Sequence, residues 1–396
     1  MIEIKKKEDC CGCSACVQKC PKSCISMKED SEGFLYPHVN INDCINCGLC
    51  EKVCPIINKR ESRKPKAVYA AKHKDDQIRL SSSSGGIFTA LAESVIDDGG
   101  VVFGAKFNES WSVVHDYTET KEGLSAFRGS KYVQSQIGDS FKKAEAFLKS
   151  GRKVLFSGTP CQIAGLKCYL RKEYENLLTV DFICHGVPSS GVWREYLKEE
   201  TALLCGGKNS VLSHPNINKK NVHIESISFR DKRIGWKKFS FALTLSVPDG
   251  HGEKNTVLLS ETKYQNLFLK GFLRDLFLRP SCHHCKVKGF SSGSDITIAD
   301  FWAINHFLPN ENDHCGYSLC MFHSDVRLKC KMFELDANNV CKTNVTIYHS
   351  SLAHKNRKVF FQKFSSGEKV IPLIRKYATV SFKRKVFLII ASLLKN

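Results

Sequence analysis

Apolar positions along the chain fall into short, separately punctuated runs. Val68–Lys72 reads as a short strand. After the Gly/Ser stretch Ser81–Gly86, Ile87, Phe88, Leu91 and Val95 recur at helical spacing, which predicts a helix with Ser84 as its N-cap and Gly99-Gly100 at its end. Two strand–turn–helix units follow. In the first, Lys153–Ser157 is the strand, Gly158–Cys161 the turn and Gln162–Leu170 the helix. In the second these are Leu177–Ile183, Cys184–Pro188 and Gly191–Leu204. A further strand is expected over Asp295–Ala299, and Cys320 lies in an apolar, core-type run, Tyr317–Phe322. The charged stretch Lys59–Lys66 reads as a linker. The chain therefore divides into an N-terminal module (1–58), a linker (59–66), a larger domain (67–340) and a helical, basic C-terminal extension (341–396).

Composition changes this picture in one respect. Hydrophobic and charged contents of 42% and 25% are those of a globular protein, but 20 of 396 residues are cysteine. Ten of them lie between Cys10 and Cys54. The opening MIEIKKKEDC has no apolar signal core, so a secreted disulfide scaffold is not expected. Clustered cysteines in a reducing compartment hold metal or do redox work, and a cytoplasmic location is expected. The formal charge is +19. A 4Fe–4S centre with four thiolates carries about −2, so bound clusters would cancel part of that excess. The remainder favours an acidic partner, a phosphate-bearing cofactor or an anionic membrane surface. No nucleic-acid-binding motif is present, and nucleic acid is not an expected partner. No stretch has the length of a transmembrane helix. The tail Lys383-Arg384-Lys385 with Val386–Leu394 suits a docked terminal helix, with peripheral membrane contact as the second option.

The N-terminal cysteines form two copies of C-x2-C-x2-C-x3-C-P. Cys10, Cys13, Cys16 and Cys20 precede Pro21; Cys44, Cys47, Cys50 and Cys54 precede Pro55. Three cysteines two residues apart wrap one corner of a cubane, and the fourth points away to ligate the other cluster. One 4Fe–4S cluster is therefore expected on Cys10, Cys13, Cys16 and Cys54, and a second on Cys44, Cys47, Cys50 and Cys20. Paired zinc knuckles would not explain the duplicated x3-C-P. Cys11 and Cys24 fall outside the pattern and read as small buried hydrophobes.

In the larger domain Cys161 and Cys184 each sit where a strand ends, the edge at which open α/β sheets bind ligands. Cys282-His283-His284-Cys285 adds a CxxC, half of a tetrahedral site. A third 4Fe–4S cluster on Cys161, Cys184, Cys282 and Cys285 is the reading taken. Zinc on the same ligands, a CxxC dithiol and a Cys184–His185 nucleophile are the rivals. The Gly/Ser loop opening the first helix offers backbone N–H groups to a phosphate or a flavin pyrophosphate. No catalytic side chain is singled out.

The segments Ser84-Gly85-Gly86, Gly129–Gln134, Phe156–Gln162 (FSGTPCQ), Cys184–Pro188 (CHGVP) and Ser294–Trp302 resemble the family of coenzyme F420 hydrogenase/dehydrogenase β subunits over nearly the whole chain. The resemblance implies an α+β protein: a bacterial-type ferredoxin domain followed by an α/β flavoprotein-like domain. That domain is not of Rossmann type, and no G-x-G-x-x-G occurs. It implies FAD, with Ser83, Ser84, Gly85, Gly86, Ser130, Lys131, Gly158 and Thr159 as candidate flavin-binding residues, Lys131 supplying a point charge for phosphate. It also supports the third cluster.

The function expected is that of an iron–sulfur flavoprotein oxidoreductase. Electrons would pass between a two-electron donor (coenzyme F420 or another reduced carrier), FAD and 4Fe–4S clusters, then to a redox partner protein or small carrier. The alternative is an electron-transfer subunit without a substrate site of its own, docked on a partner enzyme. The basic, aromatic segment Phe229–Lys238 reads either as a cover for an anionic substrate or as a solvated hairpin.

Overall fold

A computed structural model describes residues 1–206, 222–248, 254–311, 313–326, 328 and 330–378. The basic tail Lys383–Leu394 lies outside the described residues.

The N-terminal module is built around its cysteine loops. A hairpin, β1 (Ile25–Glu29) and β2 (Leu35–Val39), separates two short helices, α1 (Ala15–Lys19) and α2 (Leu49–Lys52). Each helix carries the third cysteine of a run, Cys16 or Cys50. The stretch 59–66 is laid along the larger domain: Arg63 N donates to Phe290 O (3.1 Å) and Lys66 N to Phe322 O (2.7 Å).

The larger domain is organised by a mixed eight-stranded sheet. Its strands are β3 (Ala67–Lys72), β4 (Val101–Phe107), β5 (Val113–Thr118), β6 (Val154–Ser157), β7 (Leu177–Phe182), β11 (Ile296–Asp300), β12 (Ser318–Phe322) and β13 (Lys331–Glu334), in the order β13-β3-β12-β11-β7-β6-β4-β5. A separate antiparallel sheet holds β8 (His223–Asp231), β9 (Ser240–Pro248) and β10 (Lys254–Thr262). β4, β6, β7 and β11 run parallel, and β3 shares their direction through two antiparallel steps across β12. Their carboxyl ends therefore meet along one edge, where the loops after β3, β6, β7 and β11 converge.

Alternation along the central strands supplies two cores. Val101, Phe103, Val154 and Phe156 face α5 (Ser140–Lys149) and α6 (Pro160–Leu170), packing with Phe141, Ile163 and Leu166. Val102, Leu155 and Val180 face the other way, onto Ile87, Leu91 and Val95 of α4 (Ile87–Asp97), which follows the short α3 (Asp76–Ser81). A third core, rich in aromatics, joins the smaller sheet to α7 (Ser190–Gly206) and α8 (Leu267–Phe272) through Trp193, Phe229, Phe241 and Phe268. Beyond α9 (Ile304–Phe307) and α10 (Ala337–Thr343), helices α11 (Arg357–Ser365) and α12 (Val370–Tyr377) insert Phe360, Phe361, Ile371 and Ile374 into that same core. Residues 357–377 thus belong structurally to the larger domain.

The ferredoxin module is seated on α5 and α6. Cys11, Cys13, Ala15 and Val53 share the core of those helices. Gln18 Oε1 accepts from Phe141 N (3.0 Å) and Lys142 N (3.1 Å), capping the start of α5 from the other domain. Arg357 clasps Glu32 at 2.6 Å and also donates to Leu278 O. Gly33 and Gly191 meet backbone to backbone, so closely that a Cβ on Gly33 would lie 2.5 Å from Gly191 Cα. A side chain at either position would push the module off its seat.

The helix predicted after the Gly/Ser stretch is α4, but its N-cap is Gly86, at φ +83°, not Ser84. Ser84 instead donates its hydroxyl to Tyr317 O, and Gly85 N donates to Ser318 Oγ at 3.0 Å. Gly85 crosses directly over β3, where a Cβ would stand 2.4 Å from Ala71 O. The loop is shaped by that crossing, and the serine is drawn away from the helix end. Phe229–Lys238 is not a solvated hairpin: Phe229, Arg230, Lys232 and Trp236 are all buried.

Candidate functional site

The N-terminal cysteines of both runs pack close together. Cys20, Cys44, Cys47 and Cys50 line one pocket of about 350 Å³, together with Met1, Cys24 and Ile25. Ile2 N donates to Cys50 Sγ at 3.2 Å. Cys24 reaches Cys20, with the sulfurs 3.4 Å apart. In the other set, burial and then the charges of Cys10 and Cys54 push the Cys16 thiol up to about 12. Cys54 is likewise raised by burial and by Cys10. Thiols that raise one another in this way are uncharged on their own and become thiolates when a metal centre supplies positive charge.

Cys161, Cys184, Cys282 and Cys285 come together. All four line one cleft of about 820 Å³ at the carboxyl edge of the sheet, bordered also by Cys11, Asp181, His185, Arg279 and Lys288. Cys161 opens α6 and Cys184 follows β7. The CxxC is held in place by Cys282 N on Arg279 O (2.9 Å) and Cys285 N on Ser350 Oγ (3.0 Å). Burial raises Cys184 well above the usual thiol range, with Cys282, Cys161 and Cys285 adding to it. Burial also pushes Cys282 up to about 12. A nucleophilic cysteine needs the opposite shift. His185 turns to Asp275, 2.7 Å away. Among the described residues no three His, Cys, Asp or Glu side chains converge on a single-ion position. Thiolates around one tetrahedral zinc at 2.3 Å would stand only about 3.8 Å apart. Four thiols that border one cleft without such a convergence offer a donor set for a larger thiolate-bound group.

Cys11 connects the two sites. It is buried, lines the cleft and packs in one core with Cys13 and Cys161. The helix that begins at Cys161 also carries Gly165, where a Cβ would lie 3.0 Å from Cys13 Sγ. Four residues of helix rise only about 6 Å. The first N-terminal site and the cleft in the larger domain are therefore neighbours. Read alone, Cys11 gave no signal beyond its place next to Cys10, because its role depends on how the two domains dock.

The candidate flavin residues lie on the same sheet edge in two groups. Ser83 and Ser130 meet directly (Oγ to Oγ 2.8 Å; Ser130 N to Ser83 Oγ 2.6 Å). Lys131 and Gly158 both approach His115, whose ring stacks on Phe156 and is held at about 4 by burial. Among the described residues Lys131 Nζ donates to Arg128 O and Gly129 O, at 3.0 and 3.4 Å, and burial brings it down to about 7. Arg230 is fixed by Asp300 at 2.7 Å and reaches Ser83 O at 3.0 Å. Other expected phosphate donors are engaged within the protein. Thr159 and Gln162 form a capping box at the start of α6, Thr159 Oγ1 lies 3.2 Å from Cys161 Sγ, and Gly158 N donates to Val180 O. Ser84 and Gly85 are bound to β12, as described above. What remains for an anion is the N-terminus of α4, which has no side-chain cap, and the half-buried ammonium of Lys131.

Fold and motifs together define an α+β protein with an N-terminal 4Fe–4S ferredoxin domain joined to an α/β domain. Residues 9–56 match the 4Fe–4S dicluster domain, residues 68–142 the N-terminal part of the coenzyme F420 hydrogenase/dehydrogenase β subunit, and residues 151–332 its C-terminal part. The chain belongs to the family of coenzyme F420 hydrogenase/dehydrogenase β subunits. It is 23% identical over 197 residues to an F420H2 dehydrogenase subunit of Methanosarcina mazei, covering 46% of this chain and 55% of that one. It is 25% identical over 232 residues to an uncharacterized protein of Methanocaldococcus jannaschii, covering 51% and 61%. The chain thus spans a little over half the length of these curated relatives. Its first domain is 38% identical over 55 residues to a ferredoxin of Mycolicibacterium smegmatis, covering 14% of this chain and 41% of the ferredoxin. A chain in a solved structure of the F420-reducing [NiFe] hydrogenase complex from Methanosarcina barkeri overlaps 80% of this one and 91% of its own length, at 16% identity and a TM-score of 0.38. Among the described residues no helix is long and apolar enough to cross a membrane.

Proposed function

We propose that this chain conducts electrons through three 4Fe–4S clusters, between a two-electron carrier site at the sheet edge and a protein partner at the ferredoxin end. The observation that carries the reading is the shared cleft of Cys161, Cys184, Cys282 and Cys285, which Cys11 also lines while packing in one core with Cys13. Cys10, Cys13, Cys16 and Cys54 would hold the middle cluster, and Cys44, Cys47, Cys50 and Cys20 the outlet.

FAD fits the edge at the N-terminus of α4, Ser83, Ser130 and Lys131. Bound there it would supply the exchange between a two-electron carrier and one-electron centres. The chain's own part is to offer the half-buried ammonium of Lys131 to phosphate and to hold Cys161 close by through the Thr159–Gln162 cap. Coenzyme F420, named in the family and in the relative from Methanosarcina mazei, is the carrier proposed. A cytoplasmic site of action accompanies this reading.

The engagement of Ser84, Gly85, Gly158 and Thr159 within the protein favours a second reading, an electron-transfer subunit whose flavin and substrate belong to a partner. Anaerobic addition of reduced F420 to the flavin- and iron-loaded chain separates the two. The first reading expects bleaching of cluster absorbance by the chain alone. No bleaching with F420 or with reduced nicotinamides, alongside normal reduction by dithionite, would contradict it in favour of the second.

A further inference from the structure

Arg279 is fully buried, and its side-chain hydrogen bonds lie at the junction of the two domains. Nε donates to Cys10 O at 2.8 Å, Nη1 to Gln134 Oε1 at 2.9 Å and Nη2 to Leu35 O at 2.9 Å. Nη2 also stands 3.6 Å from Cys10 Sγ. The guanidinium lies 4.3 Å from the centre of the Tyr36 ring. Its backbone carbonyl holds Cys282 N, and its charge acts on Cys10, Cys11 and Cys282. Among the described residues it has no carboxylate partner, unlike the buried Arg79 and Arg230, which are paired with Asp313 and Asp300. A buried, permanent cation without a counter-charge is strongly unfavourable. The anionic groups within its reach are the cysteine ligands on either side.

We propose that Arg279 is the shared counter-charge of the middle cluster and the cleft cluster, and that it sets both reduction potentials. This rests on the three-cluster reading above. Reduction adds one negative charge to a cluster, and a fixed cation in a low-dielectric interior favours that charged state. Arg279 therefore holds both potentials up relative to the outlet cluster of Cys20, Cys44, Cys47 and Cys50, which it does not touch. It orders the relay as well as joining the domains.

The test is an EPR-monitored redox titration of the full, anaerobically reconstituted chain as wild type, Arg279→Gln and Arg279→Lys, with iron and sulfide counted in each. In Arg279→Gln at full iron, two of three potentials should fall by at least a tenfold change in the reduction equilibrium, about 59 mV for a one-electron couple. Arg279→Lys should retain most of the wild-type values. Unchanged potentials in iron-replete Arg279→Gln, or an equal fall in Arg279→Lys, would overturn the proposal. If Arg279→Gln does not assemble, Gln134→Glu answers the same question by placing a carboxylate on Nη1 with the arginine in place. It should lower the same two potentials, and no shift there would overturn the proposal. Low iron in the wild type would instead refute the three-cluster reading.

Discussion

Gly165 of α6 lies against Cys13 of the ferredoxin module, so close that a Cβ on the glycine would stand 2.9 Å from Cys13 Cβ and 3.0 Å from its sulfur. One helix thus carries Cys161 of the cleft at its first turn and touches Cys13, proposed here for the middle cluster, one turn later. Gly165→Val should force the two apart. Overpacking of this kind costs roughly 1–3 kcal/mol. The larger effect should be on the relay, with slower internal electron transfer at unchanged iron content. Flash reduction followed by cluster absorbance measures it. A wild-type rate in an iron-replete variant would show that this contact is not part of the path.

The interlocked pairing predicts an effect away from the mutated run. Cys20→Ala should damage the cluster of Cys44, Cys47 and Cys50 and spare the one built by Cys10, Cys13 and Cys16, leaving about eight of twelve irons. Mössbauer or EPR spectra of the reduced protein distinguish the two clusters. Loss of the signal belonging to Cys10, Cys13 and Cys16 would reverse the assignment.

Thr159 caps α6 together with Gln162. Thr159→Ala should cost roughly 0.5–2 kcal/mol through loss of the box with Gln162. It should also loosen Cys161, seen as faster iron loss from the cleft under a chelator. Flavin affinity should hold; a tenfold loss would return Thr159 to the cofactor site.

Lys131 makes the stability pH-dependent. Burial lowers the folded ammonium to about 7, whereas in the unfolded chain it titrates near 10.4. Between these values the unfolded chain binds more protons, so stability rises with pH across the window. Below about 7 the penalty of the buried charge is fully present. Lys131→Met should remove that slope and stabilise the free protein most at neutral pH and below. An anion on Lys131 restores the charge, so FAD binding at pH 8 should take up close to one proton. Calorimetry in two buffers of different ionisation enthalpy reads this. Equal proton exchange in wild type and Lys131→Met would remove Lys131 from the site.

The parts of the site legible in the sequence are those fixed by local spacing or by strand order. Cys44, Cys47 and Cys50 share a pocket because their spacing is local, and Cys20 joins them from the other run. Cys161 and Cys184 converge because parallel β6 and β7 end on one edge, and β11 brings the domain's later residues to the same side. What stayed hidden depends on docking. Ser84 looked like a helix cap, yet β3 and β12 beneath it claim the loop. Arg230 and Lys232 sit in a basic stretch that resembles a solvated turn, but Asp300 and three backbone carbonyls draw them inside. Cys11 and Arg279 carry no local signature, because their partners come from the other domain.

An iron, sulfide and flavin count of the anaerobically prepared chain tests the three-cluster relay most directly. About twelve irons and twelve sulfides are expected, at four per cluster, with one FAD. About eight irons, with zinc or nothing at Cys161, Cys184, Cys282 and Cys285, would contradict the relay.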